Sequence, residues 1–189
     1  QPALQAETPV RIRCQEASLE RLLSELAVHR LDLVLSDQPV PEGLGLRAYH
    51  HRLGESGLSF FARKSLARRY QNRFPQSLDE APMLLPSQNS ALRRRLDEWF
   101  EKEAVTPMIA GEFDDSALMK AFGEAGVGLF AAPSVIEAEI CRMYRASVVG
   151  RTEEIQERFY AISAERRLKH VSVVLITNMA RSDLFTAAA

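Results

Sequence analysis

Residues 82–133 read PMLLPSQNSALRRRLDEWFEKEAVTPMIAGEFDDSALMKAFGEAGVGLFAAP, and the strongest fold signal in the chain lies here. Short apolar runs at 83–85, 108–110 and 126–132 predict three strands. Apolar residues at helical spacing separate them, first Leu92, Leu96, Trp99 and Phe100, and then Leu118, Ala121 and Phe122. Strands that alternate with helices are typical of a parallel α/β layer.

The start of the chain shows the same alternation. Val10 to Cys14 alternates apolar and polar residues and predicts a strand. Ser18 is placed to cap a helix whose leucines recur at helical spacing, and residues 31–35 predict a second strand. A strand, a helix and a strand this close together predict a βαβ unit with parallel strands.

The remaining segments complete two small α/β lobes. Further strands are predicted at 44–49, 58–62, 147–149 and 159–162, and further helices at 135–144 and 171–179. Residues 63–79 are basic and contain a proline, so we expect an irregular connection between the lobes. In open parallel sheets ligands bind outside the carboxyl ends of strands, so the turns after the strands are the first candidates for a site.

The composition, charge and cysteine spacing limit the kinds of protein to which this chain can belong. Hydrophobic residues make up 46% of the 189 and the formal net charge is −1, which favours a globular domain that does not grip DNA by itself. No apolar run approaches the length of a membrane span, and the first residues lack the features of a signal peptide. Cys14 and Cys141 are too far apart for a CxxC pair, so we expect reduced cysteines in a cytoplasmic protein.

Two strand-to-helix turns carry polar side chains suited to a ligand. Ser87, Gln88, Asn89 and Ser90 precede a helix, where free backbone N–H groups suit an anion or a polar small molecule. Ser18 stands at the corresponding turn of the first lobe. Helix capping by Ser18, Ser87 or Ser90 is the alternative interpretation, and the two roles can coexist.

The acidic segment Glu112-Phe113-Asp114-Asp115 allows two interpretations. Its carboxylates suit a hard cation, although the spacing is not that of an EF-hand. A solvated strand end followed by a helix cap is the alternative. We expect no metal role for the histidines, and no catalytic motif is present. The Arg93-Arg94-Arg95 run is predicted to be a solvated helix face or part of a protein contact.

Three segments together resemble LysR-type bacterial transcription regulators. The run Glu16-Ala17-Ser18-Leu19, followed by leucines and then by Leu31-Asp32-Leu33, resembles the segment "E-G-x-x-x-x-L…L-x-x-G-x-L-D" of that family, with His29 in place of its glycine. Residues 126–133, GVGLFAAP, are similar to the family's "G-x-G-I-x-x-x-P" strand and turn. Residues 111–123 and 182–185 resemble the group that activates a sodium/proton antiporter gene, the NhaR group.

The resemblance implies a fold and a domain organisation. It implies two Rossmann-like lobes, similar to type 2 periplasmic binding proteins, joined by two crossover segments. Lobe one would comprise residues 1–64 and 164–189, and lobe two residues 65–163. The family's N-terminal winged helix-turn-helix is expected to be absent from this chain, as is the first strand of lobe one.

The resemblance also implies a function, that of the effector-sensing domain of a DNA-binding transcription activator. A small molecule or Na⁺ would bind between the lobes and shift their arrangement, without catalysis and without a cofactor. The expected partners are further copies of the chain, as a dimer of effector domains and a tetramer of the full protein, and promoter DNA through the absent domain. The predicted effector-binding residues are Ser18, Ser87, Gln88, Asn89, Ser90, Phe113, Asp114, Pro133 and Ser134.

Two other functions stay open at this point. A free-standing solute-binding protein of a transporter would have the same two-lobed fold. A small α/β transferase or hydrolase could use the same crevice, although no nucleophile–base pair is visible in the sequence to support it.

Overall fold

A computed structural model describes residues 11–41, 48–165 and 171–185. The chain divides into two compact units. Unit one is Gln1–Glu55 with Arg158–Ala189, and unit two is Ser56–Glu157. The chain passes from one unit to the other within two long strands, at 55/56 in Tyr49–Arg63 and at 157/158 in Ala146–Ser163. The lobe boundaries predicted from the sequence lie at 64/65 and 163/164.

The described residues form six strands and six α-helices. In chain order these are α1 Leu19–Ala27, β1 Val34–Ser36, β2 Tyr49–Arg63, α2 Lys64–Tyr70, β3 Pro82–Pro86, α3 Ala91–Lys102, β4 Met108–Phe113, α4 Ser116–Ala125, β5 Phe130–Pro133, α5 Glu137–Met143, β6 Ala146–Ser163 and α6 Val171–Met179. Short 3₁₀ turns at Gln76–Leu78 and Ser134–Ile136 and a π-helical turn at Ala180–Leu184 complete them.

Unit one packs α1 against the pair formed by β1 and β6. Leu23 and Leu26 lie on one face of α1, and they are buried together with Val34 and Ile162. β1 pairs with β6 in antiparallel register, with Val34 opposite Ile162. Residues 11–14 form no strand, so the predicted parallel βαβ unit is wrong. The alternating residues at 11–14 are exposed and bury no face, which leaves the pattern without a sheet to join.

Unit two is built on parallel strands, as the sequence predicts. β3 pairs with β4 in parallel, from Pro82 opposite Met108 to Pro86 opposite Phe113. On the other side of β3, Leu84 N donates to Leu129 O at 2.7 Å and Leu129 N donates to Pro82 O at 2.7 Å. The segment that leads into β5 is therefore parallel to β3.

Helices α3 and α4 pack on opposite faces of the pair formed by β2 and β5. β5 pairs with β2 in antiparallel register, with Phe60 opposite Ala131 and Phe61 opposite Phe130. Successive strand residues point to opposite faces. Phe60 accordingly packs on Trp99 and Phe100 of α3, while Phe61 and Phe130 stack with ring centroids 5.5 Å apart in a separate cluster that includes Met119 of α4.

Several predicted boundaries need correction. The connection predicted at 63–79 contains α2 and a 3₁₀ turn, because Ala67 and Leu78 are buried in the unit-two core. The strands predicted at 147–149 and 159–162 belong to one continuous strand, β6. The strand predicted at 126–132 begins only at Phe130, since Gly126 ends α4 with a φ of 86°.

Two further comparisons concern the limits of the structure. The helix predicted from Val135 starts with a 3₁₀ turn and becomes α-helical at Glu137. Val10, most of the strand predicted at 44–49 and the first eight residues lie outside the described residues. Within residues 11–41, 48–165 and 171–185, no helix combines the length and the apolar character that crossing a membrane requires.

Candidate functional site

Three strands of unit two end at the same edge and bring most of the predicted site residues there. β3, β4 and the segment leading into β5 run parallel, so the turns after Pro86, Phe113 and Pro133 share that edge. The backbone N–H of Ser87 donates to the carbonyl of Phe113 at 2.9 Å, which joins the first two turns directly. We call this edge the strand-end site.

The turn at residues 87–90 leaves its hydroxyl groups out of helix capping. The N–H of Ser90 donates to the carbonyl of Ser87 at 3.0 Å, and the carbonyl of Ser90 accepts from Arg94 N at 3.3 Å. Ser90 occupies the N-cap position of α3, yet its side chain makes no capping hydrogen bond. Ser87 and Ser90 are half-buried, whereas Gln88 and Asn89 are exposed. The capping alternative therefore does not account for these serine hydroxyls.

Arg93 supports this turn from the first turn of α3. Its guanidinium donates to the carbonyl of Pro86 at 2.9 Å, to Asp97 at 3.0 Å and to the carboxylate of Glu112. Burial alone would lower the pKa of Arg93, but its hydrogen bonds to Glu112 and Asp97 outweigh this effect and the pKa is raised. The predicted solvated face is wrong for Arg93, which is 5% exposed, and holds for Arg94.

Two of the three carboxylates of the acidic segment make structural contacts. Glu112 contacts Arg93, and Asp115 caps α4 by accepting from Ala117 N at 2.7 Å and Leu118 N at 3.2 Å. Asp114 is exposed, and Phe113 packs edge-on against Phe122 with centroids 5.1 Å apart. In the described part of the chain, no group of three or more histidine, cysteine, aspartate or glutamate side chains is arranged to hold a metal.

The turn after β5 belongs to a polar network around the buried hydroxyl of Ser59. Ser134 Oγ lies 2.8 Å from Ser59 Oγ, and Ser59 donates to Glu137 Oε2 at 3.1 Å. Arg151 donates two hydrogen bonds to the same carboxylate, from Nε at 2.8 Å and from Nη2 at 2.7 Å. Pro133 is half-buried and begins this turn.

The network favours an ionised Glu137. The bond from Arg151 lowers the pKa of Glu137, burial opposes this effect, and the bond from Ser59 adds to the lowering. The pKa of Arg151 is raised in turn, chiefly by its bond to Glu137. A carboxylate that is held in its charged form accepts hydrogen bonds only.

The sequence interpretation missed Ser56, Ser59, Glu137 and Arg151. Ser56 Oγ accepts from Val135 N at 3.0 Å and donates to the carbonyl of Gly57 at 2.8 Å, which fixes the backbone after Ser134. Ser59 lies inside the apolar run LSFFA, and a hydroxyl in such a run was the one available signal.

Ser18 belongs to unit one and is considered separately. It occupies the N-cap position of α1, and its carbonyl accepts from Leu22 N at 3.0 Å. Its side chain makes no capping bond and is exposed. The Ser18 hydroxyl, like that of Ser90, therefore takes no part in helix capping.

Unit one also carries a pocket that the sequence did not predict. Arg52, Leu53, Gly54, Glu55, Arg181 and Phe185 line it. Glu55 pairs with Arg52 at 2.5 Å and lies 3.7 Å from Arg158, so its carboxylate already has cationic neighbours.

Sequence comparison identifies relatives over nearly the whole chain. The family described as "LysR substrate binding domain" matches residues 3–181. The transcriptional activator protein NhaR of Escherichia coli strain K12 is 36% identical over 180 residues, which is 95% of this chain. The NhaR protein of Shigella flexneri matches equally. The chain spans 59% of the length of these curated relatives.

Solved structures share the fold at lower identity. The regulatory domain of HypT from Salmonella typhimurium, in its apo form, has a TM-score of 0.66 at 22% identity, covering 94% of this chain and 86% of that one. HinK of Pseudomonas aeruginosa has a TM-score of 0.70 at 18% identity, covering 97% and 63%. The effector-binding domain of QuiR in complex with shikimate has a TM-score of 0.59 at 16% identity, covering 87% and 77%.

These comparisons confirm the resemblance and the predicted α/β fold of the type 2 periplasmic-binding-protein kind. The matched relatives are transcription regulators and not enzymes. On the extent of the family match and the identity to NhaR, the chain belongs to the LysR substrate-binding domain family.

Proposed function

We propose that this chain senses a small polar effector for a DNA-binding transcription activator, and that it does so without catalysis. Homology to NhaR over 95% of the chain supports a regulatory domain of this kind. The net charge of −1 favours DNA contact through another part of the regulator. We propose a cytoplasmic location on the same grounds.

The strand-end site is the proposed effector contact in unit two. The observation that carries the proposal is that the serine hydroxyls at the start of α3 make no capping hydrogen bond. The hydrogen bond from Ser87 N to Phe113 O holds their turn beside the turn that follows β4. Ser87, Gln88, Asn89 and Ser90 would contact the effector from one turn, Phe113 and Asp114 from the next, and Pro133 and Ser134 from the third. Ser18 is the proposed contact in unit one.

Sodium is a specific form of this proposal that follows from the similarity to NhaR. The acidic segment gives it little support, because Glu112 is paired with Arg93 and Asp115 caps α4. Hydroxyl and carbonyl oxygens at the strand-end site would have to supply the ligands instead.

A reporter assay with the intact regulator tests the effector site. Ser87 and Ser90 are replaced together by alanine, and promoter output is measured in sodium, lithium and potassium media while promoter binding is measured separately. We expect the effector response to fall at least about ten-fold, as removing hydrogen bonds to a buried ligand does, with DNA affinity unchanged. Ser24→Ala is the control, since this exposed serine bonds only its own helix at Glu20 O. An unchanged response in the double variant removes this turn from the site.

We also propose that the chain pairs with a second copy, and that whole regulators assemble as tetramers. Unit two exposes five large apolar side chains on β4, on α4 and just after α4: Met108 57%, Ile109 51%, Leu118 50%, Phe122 42% and Val127 44%. Leu118 and Phe122 are one helical turn apart, so they share a face of α4. We call these five residues the apolar patch.

A further inference from the structure

The hydroxyl of Ser59 links Ser134 to Glu137. Ser59 is fully buried at 0% exposure, and its oxygen lies between Ser134 Oγ at 2.8 Å and Glu137 Oε2 at 3.1 Å. Each serine hydroxyl has one hydrogen to donate and two lone pairs that accept. The direction of the chain of bonds therefore depends on which neighbour of Ser59 cannot donate.

Glu137 is the neighbour that cannot donate. Arg151 bonds both carboxylate oxygens, at 2.8 and 2.7 Å, and holds the group in its charged form. If Ser59 donated to Ser134 instead, the oxygens of Ser59 and Glu137 would face each other at 3.1 Å with no hydrogen between them at a part-buried position, which is costly. Bonds to a charged acceptor are also about twice as strong as neutral ones. The Ser59 hydrogen is thus committed to Glu137, and the Ser134 hydrogen is committed to Ser59.

We infer that Glu137, acting through Ser59, sets the hydrogen-bonding polarity of Ser134, so that Ser134 offers only lone pairs to an effector. The effector group that meets this turn is then electropositive: an ammonium, hydroxyl or amide hydrogen, or an alkali cation. A carboxylate or another anion is disfavoured there. The ligand class rests on the proposed function, in which Ser134 contacts the effector, whereas the hydroxyl direction does not. Glu137 is a positioning residue.

Neutron diffraction from the deuterated chain tests the direction by itself. We expect deuterium on Ser134 Oγ directed at Ser59 Oγ, and deuterium on Ser59 Oγ directed at Glu137 Oε2. Deuterium on Ser59 directed at Ser134 overturns the inference.

NMR titration tests the ligand class. The probes are methylammonium chloride, sodium chloride and tetramethylammonium acetate, with tetramethylammonium chloride as the salt control, and the amide signals of Ser134 and Val135 are followed. In the wild-type chain we expect a saturable response to methylammonium or to sodium, and none to acetate. Methylammonium and sodium distinguish a hydrogen donor from an alkali cation.

The variant Glu137→Met supplies the decisive comparison. It removes both carboxylate oxygens, so Ser134 Oγ is the acceptor left to the Ser59 hydroxyl, and donation from Ser59 to Ser134 releases the Ser134 hydrogen toward the ligand. We expect the ratio of acetate to methylammonium affinity to rise about ten-fold or more, a change that a purely structural role would not produce. Glu139→Met, on the exposed side of the same helix, should leave the ratio unchanged.

The outcomes distinguish a wrong hydroxyl direction from a wrong effector contact. An acetate response at Ser134 in the wild-type chain, or an equal ratio in Glu137→Met, overturns the inference while the turn remains an effector contact. No response at Ser134 to any probe, in a chain whose neutron structure shows the expected hydrogens, overturns the proposed effector contact and the ligand class together.

Discussion

The buried guanidinium of Arg93 on α3 donates to the carboxylate of Glu112 on β4. Through this bond and the one to Pro86 O, Arg93 ties the ends of two parallel strands to the helix that follows the turn at 87–90. The geometry of the strand-end site therefore depends on a residue that does not belong to the proposed ligand contacts.

Replacing Arg93 by methionine should destabilise unit two. The variant keeps an apolar stem but leaves Pro86 O and Glu112 without their donor, so we expect a loss of about 2–3 kcal/mol in the free energy of unfolding, typical of hydrogen bonds to charged groups. Urea unfolding measures it. Arg94→Met, at the exposed neighbouring position, should stay within about 0.5 kcal/mol. Equal losses in both variants would contradict the structural role of Arg93.

Two N-cap positions should respond differently to alanine. Asp115 accepts hydrogen bonds from Ala117 N and Leu118 N, so Asp115→Ala should cost about 1 kcal/mol of stability. The Ser90 side chain makes no capping bond, so Ser90→Ala should cost only a few tenths of a kcal/mol. Thermal unfolding of the two variants compares them directly. A loss at Ser90 as large as that at Asp115 would show that its hydroxyl caps α3 after all.

The sequence predicted unit two better than unit one, and packing explains the difference. In residues 82–133 the apolar runs at 83–85 and 129–132 are buried against helices, so the local pattern and the tertiary environment agree there. The strand pattern of residues 10–14 is only five residues long, and a strand forms only where a partner and a buried face exist. The antiparallel partner of β1 lies in β6, well over a hundred residues later, and no local signal specifies that pairing.

The candidate site could be predicted only in part. The turns at 87–90 and 133–134 follow apolar runs that predict strands, and ligands bind at strand ends. The local sequence was therefore sufficient to predict these two turns as candidates. The network behind Ser134 joins Ser59, Glu137 and Arg151 from β2, α5 and β6, and Ser59 is 75 positions from Ser134. Arg93 was misassigned for a related reason, since an arginine run indicates a solvated face until a buried carbonyl and a carboxylate are found beside one member.

Gly126 should resist a side chain for conformational reasons. It ends α4 with a φ of 86°, in the left-handed region that a Cβ disfavours. We expect Gly126→Ala to lower the free energy of unfolding by about 1 kcal/mol, measured in urea. Gly126→Asn should cost clearly less, because asparagine tolerates this region better. Equal losses in the two variants would point to crowding by Arg63, whose Cδ would lie 3.3 Å from the new Cβ.

The ion pair of Glu137 and Arg151 should give stability a pH dependence. Folding lowers the Glu137 pKa, chiefly through Arg151, so its contribution is complete above the ordinary glutamate value of about 4.3 and is lost as the pH falls through the lower folded-state value. The stability difference between the wild type and Glu137→Gln should therefore be largest at neutral pH and shrink below about pH 4.3. Urea midpoints from pH 7 to pH 3 measure it. Glu139→Gln is the control, and a difference that grows toward low pH would contradict the sign.

The apolar patch should control association of the chain. Large exposed apolar side chains on β4 and α4 would be covered in a pair of copies, and a charge placed among them would be buried without a partner. We therefore expect Phe122→Glu to weaken self-association at least ten-fold, as about 1.4 kcal/mol or more requires, in sedimentation velocity across a range of concentrations. Met143→Glu is the matched control, because Met143 is 61% exposed on α5 and outside the patch. If the control weakens association and Phe122→Glu does not, the copies pair through another face. If neither variant changes a stable dimer, the patch is not part of its interface.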